Sequence, residues 1–318
     1  MRREGSPWQG VGAVILKDLA DQLTSARMRV IEWLIVLSAM AALYGALQQI
    51  RDTTAEDQFL YLRLFTTARD PLPSLVSLLV FLVPIMAIGI GFDAINGEYN
   101  RRTMSRILAQ PIYRDALLFG KFLAGLATLS ICLITLWLLV IGFGLIRLGI
   151  PPNGEELGRL LIFLLVTIAY AGVWLALAML LSILVRSTAT AALSALGLWL
   201  FLALLWPAVA QMVGEAISPS DLRFAQLGLP TPATLAWQQG LSRLSPGTLY
   251  LESLLALLNP DSQTMTTLLA QFQGRIPSPL PLNESILQVW PQIVSLIAGT
   301  IVLYVIGYIA FQRQEVRA

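Results

Sequence analysis

Six stretches of the 318-residue chain, roughly 30–50, 73–95, 122–146, 160–185, 189–213 and 290–311, are apolar over about 20 residues or more. A hydrocarbon core of about 30 Å takes about 20 residues of α-helix to cross. Lipid offers no partner to an open backbone amide or carbonyl, so segments this long and continuous must be helices rather than barrel strands. Composition agrees, with 56% of residues apolar and 13% charged, where a soluble domain carries about 25% charged residues. The fold class expected is all-α, a polytopic membrane protein with six transmembrane helices.

Several kinds of chemistry are excluded by what the sequence lacks. There is no histidine, and the single cysteine, Cys132, lies inside an apolar run. The commonest transition-metal ligand and general base is therefore missing, and one chain can build neither a disulfide nor a cysteine metal site. The only Gly-Lys pair, Gly120-Lys121, is followed by Phe122 and has Asp115 where a phosphate-binding loop needs its first glycine. Such a loop must surround phosphates with backbone amides and a lysine, so the chain is not expected to hydrolyse ATP by itself. No catalytic residue, metal or cofactor of its own is expected. A net charge of +2 is too small to mark a nucleic-acid surface. Ionisable groups at membrane depth mark ion pathways, but here only Glu32 and Asp93 fall within spans, both near helix ends. Coupling to protons or sodium loses support.

Charge placement orients the chain. With the N-terminus inside, 13 Lys and Arg lie on the cytoplasmic side and 8 on the other, although the latter loops are longer. The positive-inside rule then puts both termini in the cytoplasm. No short apolar run with a small-residue cleavage site occurs in residues 1–29, so no removable signal is expected there. Within that tail Val11, Val14, Ile15, Leu19 and Leu23 recur at helical spacing. They predict an amphipathic helix in the interface, with a frayed tail as the alternative. Residues 214–289 form the largest loop and, with Pro291, account for nine of the 17 prolines. The segment Leu249 to Leu258 reads as a short helix within a helical extracytoplasmic cap. A disordered linker is the alternative, and the Leu-rich content and Trp237 count against it. The expected division is a tail and interface helix at 1–29, helices 1–5 at 30–213 with a link at 97–121, the cap at 214–289, and helix 6 with a tail at 290–318.

The link between spans 2 and 3 is the most informative stretch. It runs from Asp93 through Ile95, Glu98, Thr103, Ile107, Leu108, Pro111, Arg114 and Leu117 to Gly120-Lys121. This pattern resembles the corresponding link of ABC-2 type transporter permeases, the membrane subunits of type V ABC exporters. The stretch Gly228 to Pro260, with Leu244-Ser-Pro-Gly-Thr-Leu-Tyr-Leu-Glu252 at its centre, is similar to the external region of the bacterial branch that includes the copper-site assembly permease of nitrous oxide reductase and the gliding-motility permeases. The resemblance implies an N-terminal elbow helix, six spans, both ends inside and a large loop before the last span.

It further implies that Glu98, Arg101, Arg102, Thr103 and Arg106 form or brace a coupling element docked on a separate ATPase subunit, with Arg186 and Ser187 as a second contact. Exposed arginines beside one acidic residue can form charge-assisted contacts across an interface. The alternative, that these charges only set topology, stays open. The reading is a permease subunit in the bacterial inner membrane, working with a second permease copy and two ATPase subunits. A complex passing ATP-driven motion to an extracytoplasmic protein on loop 214–289 without moving a solute is the nearest alternative, and a non-transporting scaffold is the other. Pro84 and Pro207 are read as packing adjustments or gate kinks.

Overall fold

A computed structural model describes residues 10–51, 59–103, 113–217, 231–258 and 281–313. Helices α1 (Val11–Thr24) and α2 (Ala26–Arg51) meet at Ser25. They are followed by α3 (Leu60–Thr66), α4 (Leu75–Gly91), a five-residue α5 (Asn96–Asn100), α6 (Arg114–Leu148) and α7 (Gly154–Leu184). Then come α8 (Thr188–Leu200), a π-helical turn at Phe201–Leu205, α9 (Trp206–Ile217), α10 (Pro232–Ser242), α11 (Pro246–Leu258) and α12 (Leu282–Arg313). Six segments are long and apolar enough to cross a membrane, in the order expected from hydropathy. The third begins at Arg114, eight residues ahead of the apolar run. At 1.5 Å per residue its 35 residues reach about 52 Å, so its first turns extend past what a hydrocarbon core of about 30 Å requires.

Helix α7 is the axis of the bundle. Of its most apolar window 72% is buried by protein, against 11% for the Thr188–Ile217 segment and 11% for α12. The first is packed by neighbours, whereas the other two keep their apolar faces for lipid or a second chain. Small residues let α7 approach its neighbours: a Cβ added to Gly91 would stand 2.7 Å from that of Ala178. Transmembrane helices associate by such close packing, because lipid is as apolar as leucine. Asn153 and Glu156 close a capping box at the start of α7, and Glu156 also accepts the Tyr61 amide at 2.9 Å. Gly149, at φ 73°, ends α6 in the left-handed conformation that favours glycine.

Pro207 explains the π-helical turn. It has no amide to donate, and the Trp206 amide already reaches back five residues to the Phe201 carbonyl. In that register the Leu202 carbonyl would await Pro207; the Ser245 hydroxyl donates to it instead, at 3.1 Å. The Trp206 indole donates to the Leu241 carbonyl at 2.8 Å. The proline thus sets a local change of helical register that is satisfied by the chain entering α11.

Helix α11 is built into the bundle, packing on α4, α7 and α12. Tyr250 is fully buried, stacked on Tyr170 with ring centroids 4.3 Å apart and hydrogen-bonded to Thr167 at 2.9 Å. Arg159, also fully buried, donates to Glu155, to the Leu257 carbonyl of α11 and to Ser285 of α12, and lies over the Phe59 ring.

Candidate functional site

The functional residues expected from sequence gather at one end of the bundle, here termed the basic end. It holds the start of α1, the junctions between α1 and α2 and between α4 and α6, the turn between α7 and α8, and the end of α12. Span 2 stops at Gly91, and α5 follows after one irregular turn. The short helix closes with paired bonds from the Thr103 amide to the Glu98 carbonyl (3.0 Å) and from the Arg102 amide to the Tyr99 carbonyl (3.0 Å). These are the bonds of a Schellman cap, whose left-handed position usually takes glycine. Arg102 occupies it at φ 56°, a strained conformation for a residue with a Cβ, and such strain concentrates at functional sites. Arg101 and Arg102 are exposed.

Two asparagines join this link to the turn after α7. Asn96, 2% exposed, donates its amide to the Val185 carbonyl at 3.0 Å, and Asn100 donates to the Arg186 carbonyl at 3.4 Å. The Ser182 hydroxyl accepts the backbone amides of Ile95 and Asn96 at 3.0 and 3.2 Å. The two stretches proposed as separate contacts are therefore one platform, with Arg186 and Ser187 exposed beside Arg101 and Arg102. Ser187 also has a local task, accepting the Thr190 amide as the N-cap of α8. Arg106 lies outside the described residues.

Behind the platform sits Lys121, 8% exposed, near the start of α6. Its ammonium donates to Asp18 of α1 at 3.0 Å and to Glu98 of α5 at 3.1 Å. The other oxygen of Glu98 accepts the Thr103 hydroxyl. A buried charge left without its partner is costly, about 3 to 5 kcal/mol when a pair is broken, so these three elements are held in register. Asp18 falls among the polar positions of α1, yet it is buried and faces the protein, while Leu16 is 70% exposed. The reason is Lys121: satisfying its charge turns the Val14, Asp18 and Gln22 side of α1 inward. Val14 packs where a Cβ on Gly120 would come within 2.8 Å, and Gln22 accepts the Thr128 hydroxyl at 2.7 Å. Rising numbers on both helices mean that α1 runs alongside the first turns of α6.

A second ion pair, Arg27 to Asp93 at 3.0 Å, fastens the start of α2 to the end of span 2, with the guanidinium 5.0 Å over the Phe92 ring. It gives Asp93 an opposite charge at the end of its span. Glu32 instead finds the Cys132 thiol of α6, at 3.6 Å. Between α1 and the link opens a cleft of 310 Å³, lined by Lys17, Asp21, Arg27, Asp93, Arg101 and Thr103 among others. Partial burial pulls the Lys17 ammonium down, but Asp18, Asp21 and Glu98 outweigh it and hold its pKa above the ordinary lysine value. Among the described residues no three His, Cys, Asp or Glu side chains converge as metal ligands. Asp18, Asn96, Asn100 and Ser182 escaped the sequence reading. Only Lys121 carried a signal, as the last letter of the link pattern.

Six apolar helices of this length, with a platform of exposed arginines at one end of the bundle, define a multi-pass membrane protein. The chain belongs to the ABC-2 family of transporter proteins, whose family model matches residues 12–316. It is 35% identical over 202 residues to the probable ABC transporter permease protein NosY of Pseudomonas aeruginosa, covering 62% of this chain and 68% of that protein. It is 31% identical over 199 residues to the protein of the same description from Stutzerimonas stutzeri, covering 61% and 66%. The aligned part thus spans about two thirds of the length of these relatives.

Proposed function

We infer that this chain is the permease subunit of an ATP-driven exporter, pairing with a second permease copy and two separately encoded ATPase subunits in a bacterial inner membrane. The basic end is its cytoplasmic face, in keeping with the 13 to 8 distribution of Lys and Arg. The observation that carries the docking assignment is the joining of α5 to the α7–α8 turn by Asn96 and Asn100. Glu98, Arg101, Arg102, Thr103, Arg186 and Ser187 thereby belong to one surface that an ATPase subunit can push as a unit, with Arg106 following in the chain. Closure of the ATPase pair is passed to α4 and α6, which tilt as rigid elements about α7.

The test reverses Arg101 and Arg102 together to Glu in cells co-expressing the ATPase. Reversing desolvated interfacial charges costs about 2 to 5 kcal/mol, or about 30-fold and upward in affinity. The variant keeps its topology, since Arg114 and Lys121 still mark that side, and loses co-purification with the ATPase. Undiminished binding with normal topology would remove this platform as the docking surface.

The burial of α11 among the spans favours one further reading, in which motion reaches an extracytoplasmic protein held by residues 214–289 and no solute moves. In that case α11 shifts with ATP in a reconstituted complex in which flux is absent.

A further inference from the structure

We propose that Lys121 is the positioning residue that carries movement of the docking platform to α1, so that α1 is a driven element rather than a passive float in the interface. The inference rests on the docking reading above and goes beyond it, because nothing in that reading requires α1 to move. Lys121 stands on α6, yet both of its carboxylate partners come from other elements, Asp18 from α1 and Glu98 from the platform. All three side chains are largely withdrawn from water, at 8%, 10% and 17% exposure. Withdrawal from water makes each arm costly to break, since a parted carboxylate would stay partly desolvated. Displacement of Glu98 therefore drags the ammonium, and the ammonium drags Asp18. The other tie at this end, Arg27 to Asp93, has side chains 39% and 21% exposed, so water replaces its contacts readily. It also acts at the start of α2, whereas the link from α1 to Glu98 of the platform runs through Lys121.

The experiment uses the full permease and its ATPase in nanodiscs, in a Cys132→Ser background, with one spin-labelled permease copy per complex. Labels are paired among Ala20 on α1, Tyr99 on α5 and Leu165 on α7, and distances are compared without nucleotide and with trapped ATP. In the otherwise native chain the 20 to 99 distance stays constant, while 20 to 165 and 99 to 165 both change by about 1 to 2 Å or more, the size of ordinary helix shifts. In Lys121→Met the 99 to 165 change persists, the 20 to 165 change is lost and the 20 to 99 distance becomes dependent on nucleotide. Lys121→Arg, which keeps the charge, restores the locked pattern. If Lys121→Met does not assemble, Asp18→Asn cuts only the arm to α1 and must give the same uncoupling. A locked 20 to 99 distance in Lys121→Met, or in Asp18→Asn where that is the variant that assembles, overturns the proposal. No 99 to 165 change in the native chain instead defeats the docking reading, and with it this inference.

Discussion

Two buried cations at opposite ends of the bundle solve the same problem in different ways. Arg159 is fully enclosed, and the carboxylate in its salt bridge, Glu155, lies one turn earlier on the same helix. That partner travels with α7, and Nη1 reaches the Leu257 carbonyl and the Ser285 hydroxyl. Lys121 has no such private partner. Asp18 and Glu98 approach from two other elements, and the 310 Å³ cleft lies beside them. The first arrangement welds α11 and α12 to α7; the second is a joint whose pairing depends on where three elements stand. Burial of a charge thus says little about rigidity until the origin of the counter-charge is known.

The largest effect is expected from breaking the weld. Arg159→Met leaves the Leu257 carbonyl and Ser285 without their donor inside the packed end, and removes the salt-bridge partner of Glu155, whose side chain is 36% exposed. Buried polar groups left unsatisfied cost about 1 to 3 kcal/mol each, and the void left in the packing adds to this, so the variant should show the deepest fall in thermal midpoint, read by fluorescence-detected size exclusion after heating. A midpoint equal to that of the parent would mean that α11 is held without Arg159. Lys121→Met should fall less, because Asp18 keeps Lys17 at 3.5 Å and Glu98 keeps the Thr103 hydroxyl, so neither carboxylate is left without a partner. If it proves as destabilising as Arg159→Met, the joint is a weld after all, and the contrast between the two ends collapses. The smallest change belongs to Arg27→Gln. Exposed pairs contribute about 0.2 to 1 kcal/mol, so heating should barely separate this variant from the parent at moderate salt, and a fall approaching that of Lys121→Met would show that Arg27 does more than tie an exposed corner.

Part of the basic end was legible in sequence, where neighbouring residues hold one another. Asp93, Glu98 and Thr103 stand in a single local pattern, and the cap that joins Glu98 to Thr103 closes within six residues. The tie between α5 and the α7–α8 turn was not legible, since Asn96 and Val185 are 89 residues apart and an asparagine has no periodic signature. Nor was the inward side of α1. A pattern of apolar positions orients a helix when the alternative to water is oil, and α1 has a third choice, a buried ammonium on α6.

By itself the sequence determined the number of spans, their helical form and the end at which the basic residues collect. Those features follow from the thickness and dryness of the bilayer, which act on each segment separately. Tertiary structure decided which helix forms the axis, how α11 enters the bundle, and which distant side chains meet around Lys121 and Arg159. Every span is apolar enough for lipid, so hydrophobicity cannot rank them. The choice falls to close packing at residues such as Gly91 and Ala178, and to a few buried polar groups whose partners lie 100 or so residues away.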